Sequence, residues 1–301
     1  MEMEWPGYGP KAGDTITMMT QSMMISSLVD KGYNVYPHVI NAPKNKQGQT
    51  EMSVNGLIWK KLQDVYDYEM VFTYCDDDSP IIGYDGYVFR QGIVKEISNA
   101  LPWCAMPFSQ LPCMPPRPYP DPEEVRVGYC GSVIKNSRNI VHPAYTVRAD
   151  AIIALHKSNL KCTINLNPAF FKWEKYQKKI KGKDELRDNY FDIMQISDLS
   201  LCARGCSNYS NRLTEVIASG RLPMHIGSKD ALPFDGVCWD EQEQWLWIDY
   251  KDIDNMETIT KCYIESLSKT EWKNLHRQAR EIHDEYFTYE GFVKHIDELF
   301  D

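Results

Sequence analysis

The stretch from Leu199 to Phe234, LSLCARGCSNYSNRLTEVIASGRLPMHIGSKDALPF, decides how the rest of the chain is read. Leu199 to Ala203 is a short apolar run of the kind a buried parallel strand shows. Arg204-Gly205-Cys206-Ser207-Asn208-Tyr209-Ser210 is turn-like, with glycine free to adopt positive φ. Ser210 or Asn211 then caps a helix running to about Ser219, which Gly220 ends. Leu222 to Ile226 reads as the next buried strand. The sequence therefore predicts strand, turn, helix, strand.

On that helix Leu213, Val216 and Ile217 recur at i, i+3 and i+4 and face a sheet. Arg212 and Glu215 fall on another face, three residues apart, and are neighbours there. Taken alone, they read most simply as a surface ion pair. Their place suggests more. A helix N-terminus at the carboxyl end of a strand presents free N–H groups and a favourable dipole to an anion. An arginine in the first turn can meet phosphate oxygens with its guanidinium fork. A glutamate one turn on can accept both hydroxyls of a ribose.

The same stretch resembles the signature of the exostosin family of glycosyltransferases, family 47. That pattern runs Phe-Cys-Leu, Pro-Arg-Gly, a gap, Ser-x-Arg-Phe-x-Glu-Ala, Gly-Cys-Ile-Pro-Val, then Leu-Pro-Phe. The matching residues are Leu201-Cys202, Arg204-Gly205, Ser210-x-Arg212-Leu213-x-Glu215, Gly220-Arg221-Leu222-Pro223-Met224 and Leu232-Pro233-Phe234. Ala203 stands in place of the family's proline and Arg221 in place of its cysteine. The resemblance implies a GT-B-like α/β architecture: two Rossmann-like domains with parallel sheets facing across a cleft. In that arrangement the second domain holds a nucleotide sugar and the first an acceptor. Arg212 would meet the diphosphate and Glu215 the ribose. Arg204, Ser207 and Ser210 border the same turn and could donate to phosphate or sugar oxygens.

Outward from this stretch, strands and helices alternate on both sides of a proline-rich seam. Leu111 to Pro122 holds six prolines in twelve residues and reads as a semi-rigid connector. The expected division is residues 1–118 for the acceptor and 119–288 for the donor, with a final helix at 289–301 crossing back to the first domain. Before the seam, a helix ends near Lys31 with Gly32 closing it, Tyr33 to Ile40 reads as a strand, and Val54 to Val65 as a helix. Tyr68 to Tyr74 is a buried strand, and a helix is predicted over Gln91 to Asn99. Beyond the seam, Val125 to Cys130 is a strand followed by the turn Gly131-Ser132, where a glycine would let backbone approach a phosphate. Arg138 matches loosely a basic residue that the family places on the diphosphate. Tyr145 to Ser158 is a helix, and Arg148 within it reads as a surface or structural charge. Thr163 to Leu166 and Trp245 to Ile248 are strands, and helices follow over Met256 to Ser266, Trp272 to Glu285 and Tyr289 to Leu299.

Catalysis by this family proceeds with inversion, by direct displacement, and needs a group to deprotonate the acceptor hydroxyl. The acids after the buried strand, Asp76, Asp77 and Asp78, are the first candidates for that base. They also carry a rival reading, because Asp76-x-Asp78 is the arrangement by which a metal-dependent GT-A-type transferase holds manganese on a diphosphate. A second rival is a nucleotide-sugar-binding protein without turnover. The preferred reading needs no cofactor and no divalent metal, with a UDP-sugar as co-substrate, a UDP-pentose such as UDP-xylose being the donor chosen.

Composition bounds the partners. The 301 residues are 43% hydrophobic and 12% aromatic, enough for a packed core. A formal net charge of −9 argues against a nucleic-acid binder, which needs a basic surface against phosphates. It leaves room for a glycan or glycoprotein acceptor. Nine cysteines, an odd number in no framework spacing, point to free thiols in a reducing compartment. The opening MEMEWPGYGP is neither basic nor apolar, and no run approaches a membrane span. A soluble, cytoplasmic enzyme of viral or microbial origin is expected.

Overall fold

The computed structural model describes residues 24–35, 40–41, 69–74, 85–91, 93–94, 101–103, 113–131, 143–166, 183–204, 210–227, 230–231, 234 and 245–300. The protein has the α/β class expected of it, with parallel strands in two separate sheets.

The first sheet has four parallel strands in the order β1 (Ile40–Asn41), β2 (Met70–Tyr74), β3 (Tyr87–Gln91) and β5 (Leu101–Trp103). Met70, Val71 and Phe72 are buried in succession, as in a strand covered on both faces. Helix α1, described over residues 24–30, packs Met24, Ile25 and Leu28 into this unit's core, and Gly32 follows it at φ 106°. Within the predicted strand 33–40, Val35 makes an isolated parallel bridge to Met70, and β1 begins at Ile40.

The helix expected over Gln91 to Asn99 is overturned at its start, and its remainder, residues 95–99, lies outside the described residues. Gln91 ends β3, and Ile93–Val94 forms β4, paired antiparallel with β10 (Asp230–Ala231). Ile and Val at 93 and 94 are β-branched residue types, which favour a pleated surface over a helix. The predicted helix 54–65 lies outside the described residues.

The second sheet holds five parallel strands in the order β11 (Leu246–Asp249), β9 (Leu222–Gly227), β8 (Leu199–Ala203), β6 (Arg126–Gly131) and β7 (Lys161–Leu166). Helix α2 (Pro143–Lys157) joins β6 to β7, α3 (Lys183–Ile196) joins β7 to β8, and α4 (Asn211–Ala218) joins β8 to β9. The chain moves outward from β6 to β7, then returns to β8 on the other side of β6. That reversal creates a topological switch point between β6 and β8, where open α/β sheets bind ligands beyond the carboxyl ends of their strands.

Alternation along β8 shows how the two cores are fed. Leu199, Leu201 and Ala203 enter a cluster with Val127, Val147, Ala151, Leu155, Met224 and Ile248. Cys202 points the other way, into a cluster with Leu213, Val216 and Ile217 of α4. That second cluster runs without a break into Phe72 and Phe89 of the first sheet.

Helix α4 ends as its glycine requires. Gly220 has φ 66°, its N–H donates to the Ile217 carbonyl, and the Arg221 N–H donates to the Val216 carbonyl. This is a Schellman motif, which a residue with Cβ would strain.

The proline-rich segment is laid along the second unit rather than standing off it. Met114 N–H donates to the Ser219 carbonyl at 3.0 Å, Trp272 Nε1 to the Arg117 carbonyl at 3.0 Å, and Tyr119 Oη to the Ile264 carbonyl at 2.8 Å. Arg221, 2% exposed, donates to the Pro115 carbonyl at 2.8 Å and to the Gln195 carbonyl at 3.1 Å. Burial, with the Arg117 charge adding to it, pulls the Arg221 pKa down to about 10.

After α5 (Met256–Ser266) and α6 (Lys269–Tyr286), the chain reaches the first sheet again through α7 (Tyr289–His295) and a 3-10 turn, Ile296–Leu299. Phe292 sets its ring edge-on against Phe72 at 6.3 Å and Phe89 at 6.1 Å, and Phe300 stacks on Tyr87 at 4.2 Å. Lys31 Nζ donates to the Val293 carbonyl at 3.1 Å and to Asp297 Oδ2 at 2.6 Å. Among the described residues, no helix is long and apolar enough to cross a membrane.

Candidate functional site

Four elements converge at the switch point. Strand β6 ends there with Tyr129, Cys130 and Gly131, α4 brings Arg212 and Glu215, α3 brings Tyr190, and α2 brings Arg148 within charge range of Tyr129. The apolar face of α4 fixes its rotation: Leu213, Val216 and Ile217 are at most 2% exposed, which leaves Arg212 and Glu215 half-buried beside β6.

The Arg212 guanidinium lies over two tyrosine rings from different elements, 4.5 Å from the centroid of Tyr129 and 5.2 Å from that of Tyr190. Its Nη2 donates to the Cys130 carbonyl. Each ring face attracts the cation, and the carbonyl ties down one end of the fork. Tyr190 also donates its hydroxyl to Glu215 Oε2 at 2.6 Å. One tyrosine thus touches both members of the pair.

The charge states follow from this enclosure. Burial raises the Tyr190 pKa well above the tyrosine range, and the Glu215 charge adds to it against the pull of Arg212, so Tyr190 is a neutral O–H donor. Burial raises the Glu215 carboxyl too, although the Tyr190 hydrogen bond and the Arg212 charge both work to lower it. For Arg212, burial pulls the pKa down, but the acidic groups around it, Tyr190, Tyr129 and Cys202 once ionised at high pH and Glu215, more than reverse it, so the cation is retained. The Cys202 thiol beneath them is pushed up to about 12 by burial and stays protonated.

Gly131 has a role here that its position alone did not reveal. A Cβ built on it would stand 2.7 Å from Arg212 Nη2 and 3.0 Å from Tyr129 Oη. Its missing side chain makes room for the guanidinium itself.

The other expected site residues are spread differently. Ser210 is the N-cap of α4, 5% exposed, with its carbonyl accepting from Leu213 N–H at 2.8 Å and no side-chain cap bond. Arg204 leaves β8 half-buried, its N–H donating to the Ile226 carbonyl at 3.2 Å. Its charge acts on Tyr250, which donates to Asp150 Oδ2 at 2.6 Å. Ser207, Ser132, Arg138, Asp76, Asp77 and Asp78 lie outside the described residues.

Three residues of this site had no motif to announce them. Tyr129 is the penultimate apolar residue of a buried strand, Tyr190 lies on a helix the sequence reading did not delimit, and Arg148 reads as an ordinary helix charge. Only the spacing of Tyr129 before Gly131 at a strand's carboxyl end held any signal.

No family model matches the chain. A search of curated proteins gives a probable glucuronosyltransferase of Oryza sativa subsp. japonica, 34% identical over 71 residues, which cover 23% of this chain and 16% of that protein. The chain therefore aligns with well under a fifth of that relative's length. Among solved structures, the chain is similar to a sucrose-phosphate synthase of Thermosynechococcus elongatus at 11% identity and TM-score 0.45, covering 92% of this chain and 70% of that one. It is similar to a TarM variant of S. aureus in complex with UDP and glycan ligands at 13% identity and TM-score 0.41, covering 85% and 48%. Anabaena HepE in complex with UDP-glucose aligns at 10% identity and TM-score 0.39, covering 80% and 81%. At these levels the structural likenesses carry no functional weight, and the side chains must.

Proposed function

We propose that the chain is a glycosyltransferase of the exostosin type, transferring a sugar from a UDP-sugar to a glycan hydroxyl with inversion and without a metal. The observation that carries this reading is the Arg212–Glu215 pair, held by Tyr129 and Tyr190 at the carboxyl end of a parallel sheet's switch point. A fixed guanidinium there suits a diphosphate, and a carboxylate one helical turn on suits a ribose. Arg212 would bind and then stabilise the departing diphosphate, whose charge grows as the glycosidic bond breaks. The acids Asp76, Asp77 and Asp78 of the first unit supply the base for the acceptor hydroxyl. Residues 1–118 with 289–301 would form the acceptor side and 119–288 the donor side. The rice relative's name makes UDP-glucuronate a donor to try first, beside UDP-xylose.

The test is calorimetry with UDP and a panel of UDP-sugars in EDTA, on the wild type and on Arg212→Ala. Loss of one charge-assisted contact of about 1.5–3 kcal/mol should weaken UDP roughly 10- to 150-fold. Equal affinities in the two proteins, or binding only when manganese is added, would refute the reading.

A further inference from the structure

The two members of the Arg212–Glu215 pair are not independent, because Tyr190 of α3 contacts both. Its hydroxyl donates to Glu215 Oε2 at 2.6 Å and its ring lies 5.2 Å from the Arg212 guanidinium. A free glutamate side chain has three rotatable bonds, and a carboxylate that must accept two vicinal hydroxyls needs one orientation. Tyr190 supplies that orientation from outside α4, at a position 25 residues away in sequence. We propose that Tyr190 is a positioning residue for nucleotide recognition: it holds Glu215 by Oε2 so that Oε1 faces the ribose hydroxyls.

The division of labour within the residue follows from its geometry. The ring, together with that of Tyr129, supports the arginine and hence the diphosphate. The hydroxyl serves the glutamate and hence the sugar ring of the nucleoside. Its strongly raised pKa agrees with this, since only the neutral phenol can donate. Removing the hydroxyl alone, as in Tyr190→Phe, should separate the two tasks.

The inference rests on the donor-site reading above, so the probes are chosen to tell the two apart. Inorganic pyrophosphate reports on Arg212 alone, UDP on both residues, and 2′-deoxy-UDP on a ribose lacking one hydroxyl. Calorimetry with these three on the wild type, Arg212→Ala and Tyr190→Phe gives the answer. Expected is a UDP affinity roughly tenfold or more lower in Tyr190→Phe, pyrophosphate affinity unchanged, and the wild type's preference for UDP over 2′-deoxy-UDP largely lost. A general structural role would instead weaken pyrophosphate in step with UDP, and that result overturns the inference. So does a Tyr190→Phe protein that keeps the wild-type preference, while a loss of UDP in Arg212→Ala in the same experiment leaves the donor site standing. A wild type that binds none of the three overturns both.

Discussion

Replacing Gly131 by alanine tests the site through a residue that makes no side-chain contact of its own. A Cβ there would stand 2.7 Å from Arg212 Nη2, whereas ordinary contact begins near 3.4 Å, and 3.0 Å from Tyr129 Oη. The guanidinium, as the far end of a flexible side chain, is the group that yields, by about 0.7 Å or more. That retreat breaks its bond to the Cys130 carbonyl and lifts it from its seat over Tyr129. If the displaced fork forfeits one charge-assisted contact to a diphosphate, of about 1.5–3 kcal/mol, UDP affinity falls roughly 10- to 150-fold. The fold itself should survive, less the stability that those two Arg212 contacts contribute. Gly131 is half-buried at a strand end and is not among the positive-φ glycines Gly32 and Gly220, so alanine fits its backbone. Calorimetry against UDP, with a thermal melt of the same preparation, reads both effects. Wild-type UDP affinity in Gly131→Ala would refute the idea that the glycine exists to seat Arg212.

Two further outcomes concern the frame that holds the site. Phe292 is fully buried with its ring edge-on to Phe72, Phe89 and Phe234, so Phe292→Ala should cost about 3–5 kcal/mol in urea denaturation, with loss of near-UV signal from the first sheet; a cost below 1 kcal/mol would show that the C-terminal helix is not part of the core. His276, 2% exposed, donates Nδ1–H to the Gly220 carbonyl at 2.9 Å, and burial, the leading cause, lowers its pKa from 6.5 to about 4. The unfolded chain binds the proton more readily, so the stability this neutral histidine contributes is fully present above pH 6.5 and is lost as pH falls from 6.5 to 4. The loss should reach about 3 kcal/mol and should largely vanish in His276→Gln; denaturation midpoints measured across that window check it.

The sequence by itself determined the local elements of the second unit and the two residues at their centre. Leu213, Val216 and Ile217 could face only a sheet, Gly220 could only end the helix, and Arg212 and Glu215 were left together by the 3.6-residue period. Those facts are local, set by periodicity and φ, so they are legible within a dozen residues. The pairing of Gln91 and of Ile93–Val94 was hidden for a related reason: a short apolar run fits the start of a helix as well as a strand, and only partners distant in sequence, Trp103 for Gln91 and Asp230–Ala231 for Ile93–Val94, decided the matter.

What the tertiary structure alone decided was the company the pair keeps. Tyr129 stands 83 residues before Arg212 and Tyr190 stands 25 before Glu215, as their numbers show, and no spacing rule joins them. They meet because β6 and β8 lie side by side and α3 crosses back over β6 between them. Sequence patterns record which face a residue takes on its own element. Which faces then meet depends on strand order, and strand order is settled only when the sheets pack.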